Sequence, residues 1–196
     1  MKGETMKKLY LAVLATALVM AVIVPTGVAN AAPPPLKNHE PTHVEGTLEI
    51  VNWEFDLTKY VIDPVTLDYT WSDNIFTIEM YGDLEGTYVI NFTYTGNILD
   101  PNNYAMTGIE TFQGTLMGRR VSYRAVMVGS GIFTVPPPIG FAGSESWIST
   151  IVSSDSPLSH LRGVINFTGT FDEFADPPIQ DYSYSGELIW QTSKKN

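Results

Sequence analysis

The 196-residue sequence predicts an all-β protein: eight antiparallel strands curled into a closed barrel, behind a cleavable export signal. Three observations carry this expectation. Apolar and polar residues alternate with period two in run after run beyond residue 43, as in strands wetted on one side. Glycines stand in mid-strand on the apolar face, where they cost stability unless the sheet curves sharply or another backbone comes close. The first thirty residues have the layout of a signal peptide.

The signal comes first in the chain. Lys7 and Lys8 form a basic start, and Leu9 to Val24 is an apolar run broken only by Tyr10 and Thr16. Pro25 ends the run, and Ala29-Asn30-Ala31 is an A-x-A cleavage site. The run is shorter than the ~20 residues of a membrane span, which favours cleavage after Ala31 over an uncleaved anchor. The expected product is secreted, periplasmic or extracellular, with no stable membrane anchor. Residues 32–42 are a Pro-rich lead-in, 43–191 the barrel domain and 192–196 a polar tail.

The strands are expected near 43–55, 74–81, 84–96, 104–113, 120–129, 144–153, 163–171 and 181–190. In 84–96, Leu84, Gly86, Tyr88, Ile90, Phe92 and Tyr94 share one face, opposite Glu85, Thr87, Asn91, Thr93 and Thr95. In 163–171, Ile165, Phe167, Gly169 and Phe171 oppose Asn166, Thr168 and Thr170. In 181–190, Tyr182, Tyr184, Gly186, Leu188 and Trp190 oppose Ser183, Ser185 and Glu187. Gly86, Gly169 and Gly186 are the mid-strand glycines that point to a barrel, with a two-sheet sandwich as the alternative. Tight links are expected at Gly82-Asp83, Met117-Gly118-Arg119 and Ser156 to Gly163, and long ones at 56–73 and 130–143.

Composition narrows the function classes. A net charge of −10 supplies few partners for nucleic-acid phosphates or anionic membranes, and suits solubility outside the cell. With no cysteine there is no disulfide, thiol chemistry or lipid-modified N-terminal cysteine. His39, His43 and His160 lack metal-ligand spacing, and no cofactor motif is present. Arg119, Arg120, Arg124 and Arg162 are read as surface partners of the many acids. Asn91-Phe92-Thr93 and Asn166-Phe167-Thr168 are glycosylation sequons expected to face solvent.

Several motifs together resemble a known family. They are Gly82-Asp83-Leu84-Glu85-Gly86-Thr87, the stretch Gly108-Ile109-Glu110-Thr111-Phe112-Gln113-Gly114-Thr115-Leu116-Met117-Gly118-Arg119, Ser144-Glu145-Ser146-Trp147, Leu158-Ser159-His160-Leu161-Arg162-Gly163 and Tyr182-Ser183-Tyr184. The set resembles a domain-of-unknown-function family of small, mostly bacterial proteins grouped with allene-oxide-cyclase-like barrels. The resemblance spans residues 43–190 and implies an eight-stranded antiparallel barrel. It assigns no activity, although related cyclases and dirigent proteins hold an apolar substrate inside the barrel. Family members often carry a histidine where this chain has Met127.

Glu110 is the candidate catalytic residue. It shares a strand face with Tyr104, Met106 and Phe112, so an inward face would place a carboxylate in an apolar lumen. Burial there raises its pKa toward acid/base usefulness. In the alternative, the opposite face points inward, or Glu110 pairs with an arginine at a barrel end. Candidate ligand-binding residues are Tyr88, Tyr104, Phe112, Tyr123, Met127, Tyr184 and Trp190, with Phe133 and Phe141 from the 130–143 connection. That connection is too apolar for a free loop and is expected to fold over one barrel end as a lid, Phe133 or Phe141 touching the inward aromatics. Aromatics on inward faces are also ordinary core. The leading expectation is a small apolar ligand in the lumen. The alternatives are a cyclase- or isomerase-like enzyme using the lumenal carboxylate, and a solidly packed barrel serving as an interaction module.

Overall fold

The structure is a computed structural model describing residues 40–135, 141–154, 159–173, 175 and 178–192. The signal peptide at 1–31, the lead-in through residue 39, the 136–140 part of the 130–143 connection, the 156–158 part of the link expected from Ser156 to Gly163 and the tail beyond Thr192 lie outside the described residues.

Among the described residues nine strands form one antiparallel sheet: β1 (Pro41–Glu54), β2 (Tyr60–Ile62), β3 (Asp68–Gly82), β4 (Leu84–Asn97), β5 (Asp100–Leu116), β6 (Arg119–Val135), β7 (Ala142–Ser154), β8 (Ser159–Asp172) and β9 (Ile179–Thr192). From β3 to β9 each strand pairs with the next in sequence. β1 pairs with β9 on one side and with β3 on the other, so the hydrogen bonds run in a ring of eight strands. One continuous sheet leaves no place for the two-sheet sandwich.

Each of the eight expected strands is present, most of them longer than alternation alone suggested. β2 is additional. It arises in the long 56–73 connection and pairs with β3 at Tyr69–Trp71, beyond the last β1 pair at Ile75. The 3-10 turn Leu57–Lys59 precedes it, capped by Asp56, whose side chain accepts from the Thr58 amide at 2.9 Å and hydroxyl at 2.7 Å. β1 begins at Pro41, inside the stretch read as lead-in.

Two expected links are strand in part. Residues 130–135 continue β6 and Ala142-Gly143 open β7, which shortens the 130–143 connection to residues 136–141. His160, Arg162 and Gly163 belong to β8, not to a turn; Gly163, which reads as a turn signal in sequence, pairs with Leu188 in the strand at φ 145, an angle that favours glycine. The Met117-Gly118 link is a tight turn with φ 48 and 77, both positive, as a type I′ hairpin requires.

The inward face follows the predicted parity, and it is dense because large side chains alternate with glycine across the strands. Successive strands pair Tyr69 with Gly96, Gly96 with Tyr104, Tyr104 with Gly131, Gly131 with Glu145, Glu145 with Gly169 and Gly169 with Tyr182. A Cβ at Gly96 would strike the Tyr69 ring, at Gly131 the Tyr104 ring and at Gly169 the Tyr182 ring. Each glycine therefore gives a neighbouring tyrosine room to lie over the backbone. The interior this builds is aromatic, with Tyr88, Phe92, Phe112, Tyr123 and Phe167 each at most 2 % exposed. Burying a large apolar side chain of this kind contributes roughly 1.5–3 kcal/mol.

Candidate functional site

Glu110 sits on the inward face of β5 and is fully buried. It pairs with Ile90 on β4 and with Ala125 on β6. The Tyr88 hydroxyl donates to Glu110 Oε2 at 2.6 Å. Ser149 and Trp147, inward residues of β7, stand close enough to favour the charged carboxylate, but neither makes a well-formed hydrogen bond to it. Glu110 Oε1, Ser149 Oγ, Trp147 Nε1 and the Tyr123 hydroxyl are all buried without a hydrogen-bond partner. Burial outweighs the polar neighbours and pushes the Glu110 carboxyl up to about 7. The same burial, with the carboxylate nearby, raises Tyr88 and Tyr123 well above the usual phenol range.

A second buried carboxylate, Glu145 on β7, was not singled out from the sequence. Tyr104 donates to its Oε2 and Tyr182 to its Oε1, each at 2.8 Å. Burial raises its pKa and the two phenols oppose that rise. The signal for it was present: Gly143, Glu145, Trp147, Ser149 and Ile151 alternate with Ser144, Ser146, Ile148 and Thr150, so the parity that makes Trp147 inward makes Glu145 inward too.

The other candidate residues also turn inward, and they pack against one another. Tyr88, Tyr104, Phe112, Tyr123, Met127, Phe133 and Tyr184 are buried, and Phe141 and Trp190 are partly buried against the same core. Phe112 stacks on Tyr123 at 5.0 Å, and Phe133 lies 4.3 Å from Tyr104. Phe141 touches Phe55, Phe133 and Phe171, so the expected contact of Phe133 and Phe141 with inward aromatics is present, although Phe133 reaches it from within β6. Tyr184 is tied to the Leu84 backbone, accepting from its amide at 2.8 Å and donating to its carbonyl at 3.2 Å; burial pushes its hydroxyl up to about 12. An interior cavity beside Met127, bounded by Phe76, Phe92, Glu145 and Trp147, measures about 10 Å³, the space of one water.

The larger concavity lies on the outer wall. A groove of about 880 Å³ crosses β3 to β8. Its floor is a row of small outward residues in cross-strand register: Thr70, Thr95, Ala105, Ser130, Ser146 and Thr168. Asp68, Asn97, Asp100, Asn103, Ile132 and Ser144 flank it. Asn91 and Asn166 are exposed on the same outer face, as their parity predicted, and so are Arg120, Arg124 and Arg162. His43 and His160 are exposed, and among the described residues no cluster of three His, Cys, Asp or Glu side chains is arranged to hold a metal ion. No protein-family model matches the chain, and no curated protein matches it.

Proposed function

We propose that the chain is an exported β-barrel of the allene-oxide-cyclase-like kind that works as a binding module through its outer wall, its interior serving as a solid core. The ring of eight strands supports the barrel, and residues 1–31 support export. The observation that carries the binding reading is a contrast of volumes. The interior cavity beside Met127 holds about 10 Å³, whereas the outer groove offers about 880 Å³, within the range of ligand sites. The nine candidate lining residues supply packing, not a lumen. Titrating the purified protein with the uncharged apolar dye N-phenyl-1-naphthylamine tests this. The expected result is no saturable rise in fluorescence. A saturable one-to-one rise puts the ligand inside and overturns the packed-core reading.

A second reading, a cyclase- or isomerase-like enzyme using Glu110, is favoured by one observation: its Oε1 and three buried polar atoms, Ser149 Oγ, Trp147 Nε1 and the Tyr123 hydroxyl, lack hydrogen-bond partners. It requires the core to open, because Glu110 is 0 % exposed. Labelling the folded protein with a water-soluble carbodiimide and an amine, followed by peptide mass spectrometry, separates the two readings. A closed core leaves Glu110 unlabelled while Glu85 and Glu187 on the outer wall react. Labelling of Glu110 at a comparable rate supports the enzyme.

A further inference from the structure

We propose that the outer groove seats a neutral, hydroxyl-rich polymer, a polysaccharide lying across the strands; this rests on the outer wall being the binding surface. The floor row crosses six strands, and five spacings of ~4.8 Å give a track of roughly 24 Å. A track of that length across the outer wall suits a chain better than a compact molecule.

The lining chemistry selects the class. Thr70, Thr95, Ser130, Ser144, Ser146 and Thr168 place six hydroxyls in the groove, and none of them has a hydrogen-bond partner among the described residues. Each offers one donor and two acceptor positions to a ligand. The two exposed carboxylates, in contrast, already hold amide donors: Asp68 accepts from Asn97 at 2.8 Å through one oxygen, and Asp100 from Asn103 at 2.9 Å through both. Glu145 borders the groove only by its backbone side, its buried carboxylate accepting from Tyr104 and Tyr182. No Lys, Arg or His lines the groove, so an anionic polymer finds no counter-charge. A cationic one must compete with donors in place. An uncharged polyol meets free hydroxyls along the whole track.

The flank toward the middle of the strands completes the match. The next outward row runs Thr93, Thr107, Val128, Ile148 and Asn166, with Val128 63 % and Ile148 51 % exposed. A pyranose presents hydroxyls at its edge and C–H groups on its face. Hydroxyls along the floor beside branched apolar side chains complement both.

The test is native gel electrophoresis of the intact protein in gels containing hydroxyethylcellulose, galactomannan, soluble starch or polygalacturonate, with binding of a fluorescent oligolysine measured in parallel. Ala105→Trp and Ser130→Trp fill the exposed floor, and Ser185→Tyr on β9 is the outer-wall control; circular dichroism confirms that each folds. Retardation of at least tenfold by one or more neutral polysaccharides, none by polygalacturonate, restored mobility in both floor variants and unchanged retardation in Ser185→Tyr is the expected pattern. If none of the neutral polysaccharides retards the protein, the polymer class is wrong. If oligolysine binds instead and the floor variants abolish that binding, the groove stands and its ligand is cationic. Retardation that both floor variants leave intact overturns the groove itself.

Discussion

Tyr104 reaches Glu145 from two strands away: its ring lies over Gly131 on the intervening β6, and its hydroxyl meets Glu145 Oε2 at 2.8 Å. Tyr182 on β9 does the same from the other side, over Gly169, to Oε1. One carboxylate on β7 thus ties five consecutive strands, and the two glycines make both reaches sterically possible.

Replacing Glu145 by leucine leaves the two buried phenols of Tyr104 and Tyr182 without their acceptor. Each unpartnered hydroxyl costs roughly 1–3 kcal/mol, so urea unfolding should show a loss of several kcal/mol. Glu145→Gln keeps an acceptor for one phenol and a donor for the other, and should lose less than about 2 kcal/mol. A leucine variant as stable as the parent would mean that the phenols are not held by this carboxylate.

Gly131→Ala places a methyl group against the Tyr104 ring and should cost roughly 2–4 kcal/mol through forced repacking. Ser130→Ala, one residue away on the exposed face, should stay within about 0.5 kcal/mol. In a Tyr104→Leu background the cost of Gly131→Ala should shrink, and the double-mutant cycle measures by how much. Equal cost in both backgrounds would place the clash elsewhere.

Glu110 titrates near 7 in the folded chain and near 4.5 when unfolded. The folded state then holds the extra proton between those values. Its contribution is fully present below about 4.5, falls as pH rises toward about 7, and is flat above that. The fall amounts to roughly 3 kcal/mol. Glu110→Gln should remove this segment of the stability–pH curve and be the more stable form at pH 8. Parallel curves for parent and variant between pH 5 and 7 would show that the carboxyl is not buried as described.

Phe141 closes an aromatic cluster with Phe55, Phe133 and Phe171, at ring separations of 5.8, 5.5 and 4.9 Å. Phe141→Ala should cost roughly 2 kcal/mol in thermal unfolding. Ile132→Ala, at a position 52 % exposed, should cost well under half of that. If both variants melt alike, the cluster does not hold the end of the β6–β7 hairpin.

Much of this architecture is legible in the sequence because the side-chain period is two. Leu84 to Tyr94 declares both the strand and its inward face, and Glu110 is inward for the same reason that Phe112 is. Gly86 and Gly169 mark close packing, because a side chain there would meet the Gly114 backbone and the Tyr182 ring. Alternation was less informative at strand ends. Ser130 to Val135 and His160 to Gly163 carry glycines or lie near prolines, which read as turns until the partner strands are known. β2 is three exposed residues held by β3 alone, too short for a periodic signal. Glu145 went unnoticed because its neighbours Ser144 and Ser146 make the segment look polar. The sequence offered both a lumen and a packed core and could not choose between them. Whether the inward aromatics surround a hole or close it depends on ring angles and on the glycines opposite them, and neither is a property of one strand.

The position of β1 has a consequence for how the chain reaches this state. From β3 to β9 each pair in the ring is a hairpin between sequence neighbours, and β1 pairs with β3 across the connection that holds β2, but β1 joins β9 through pairs such as Pro41 with Ile189. Until β9 has formed, the ladder from β3 to β8 has an unpaired margin, and β9 itself presents a second one until β1 docks. Both margins are long runs of unsatisfied amides and carbonyls beside apolar side chains, the template on which a second molecule adds a strand. The seam between β1 and β9 therefore joins the two strands farthest apart in sequence, and opening it exposes two edges on which another copy could pair. A chain that loses this pairing should exchange strands or aggregate before its remaining hairpins melt.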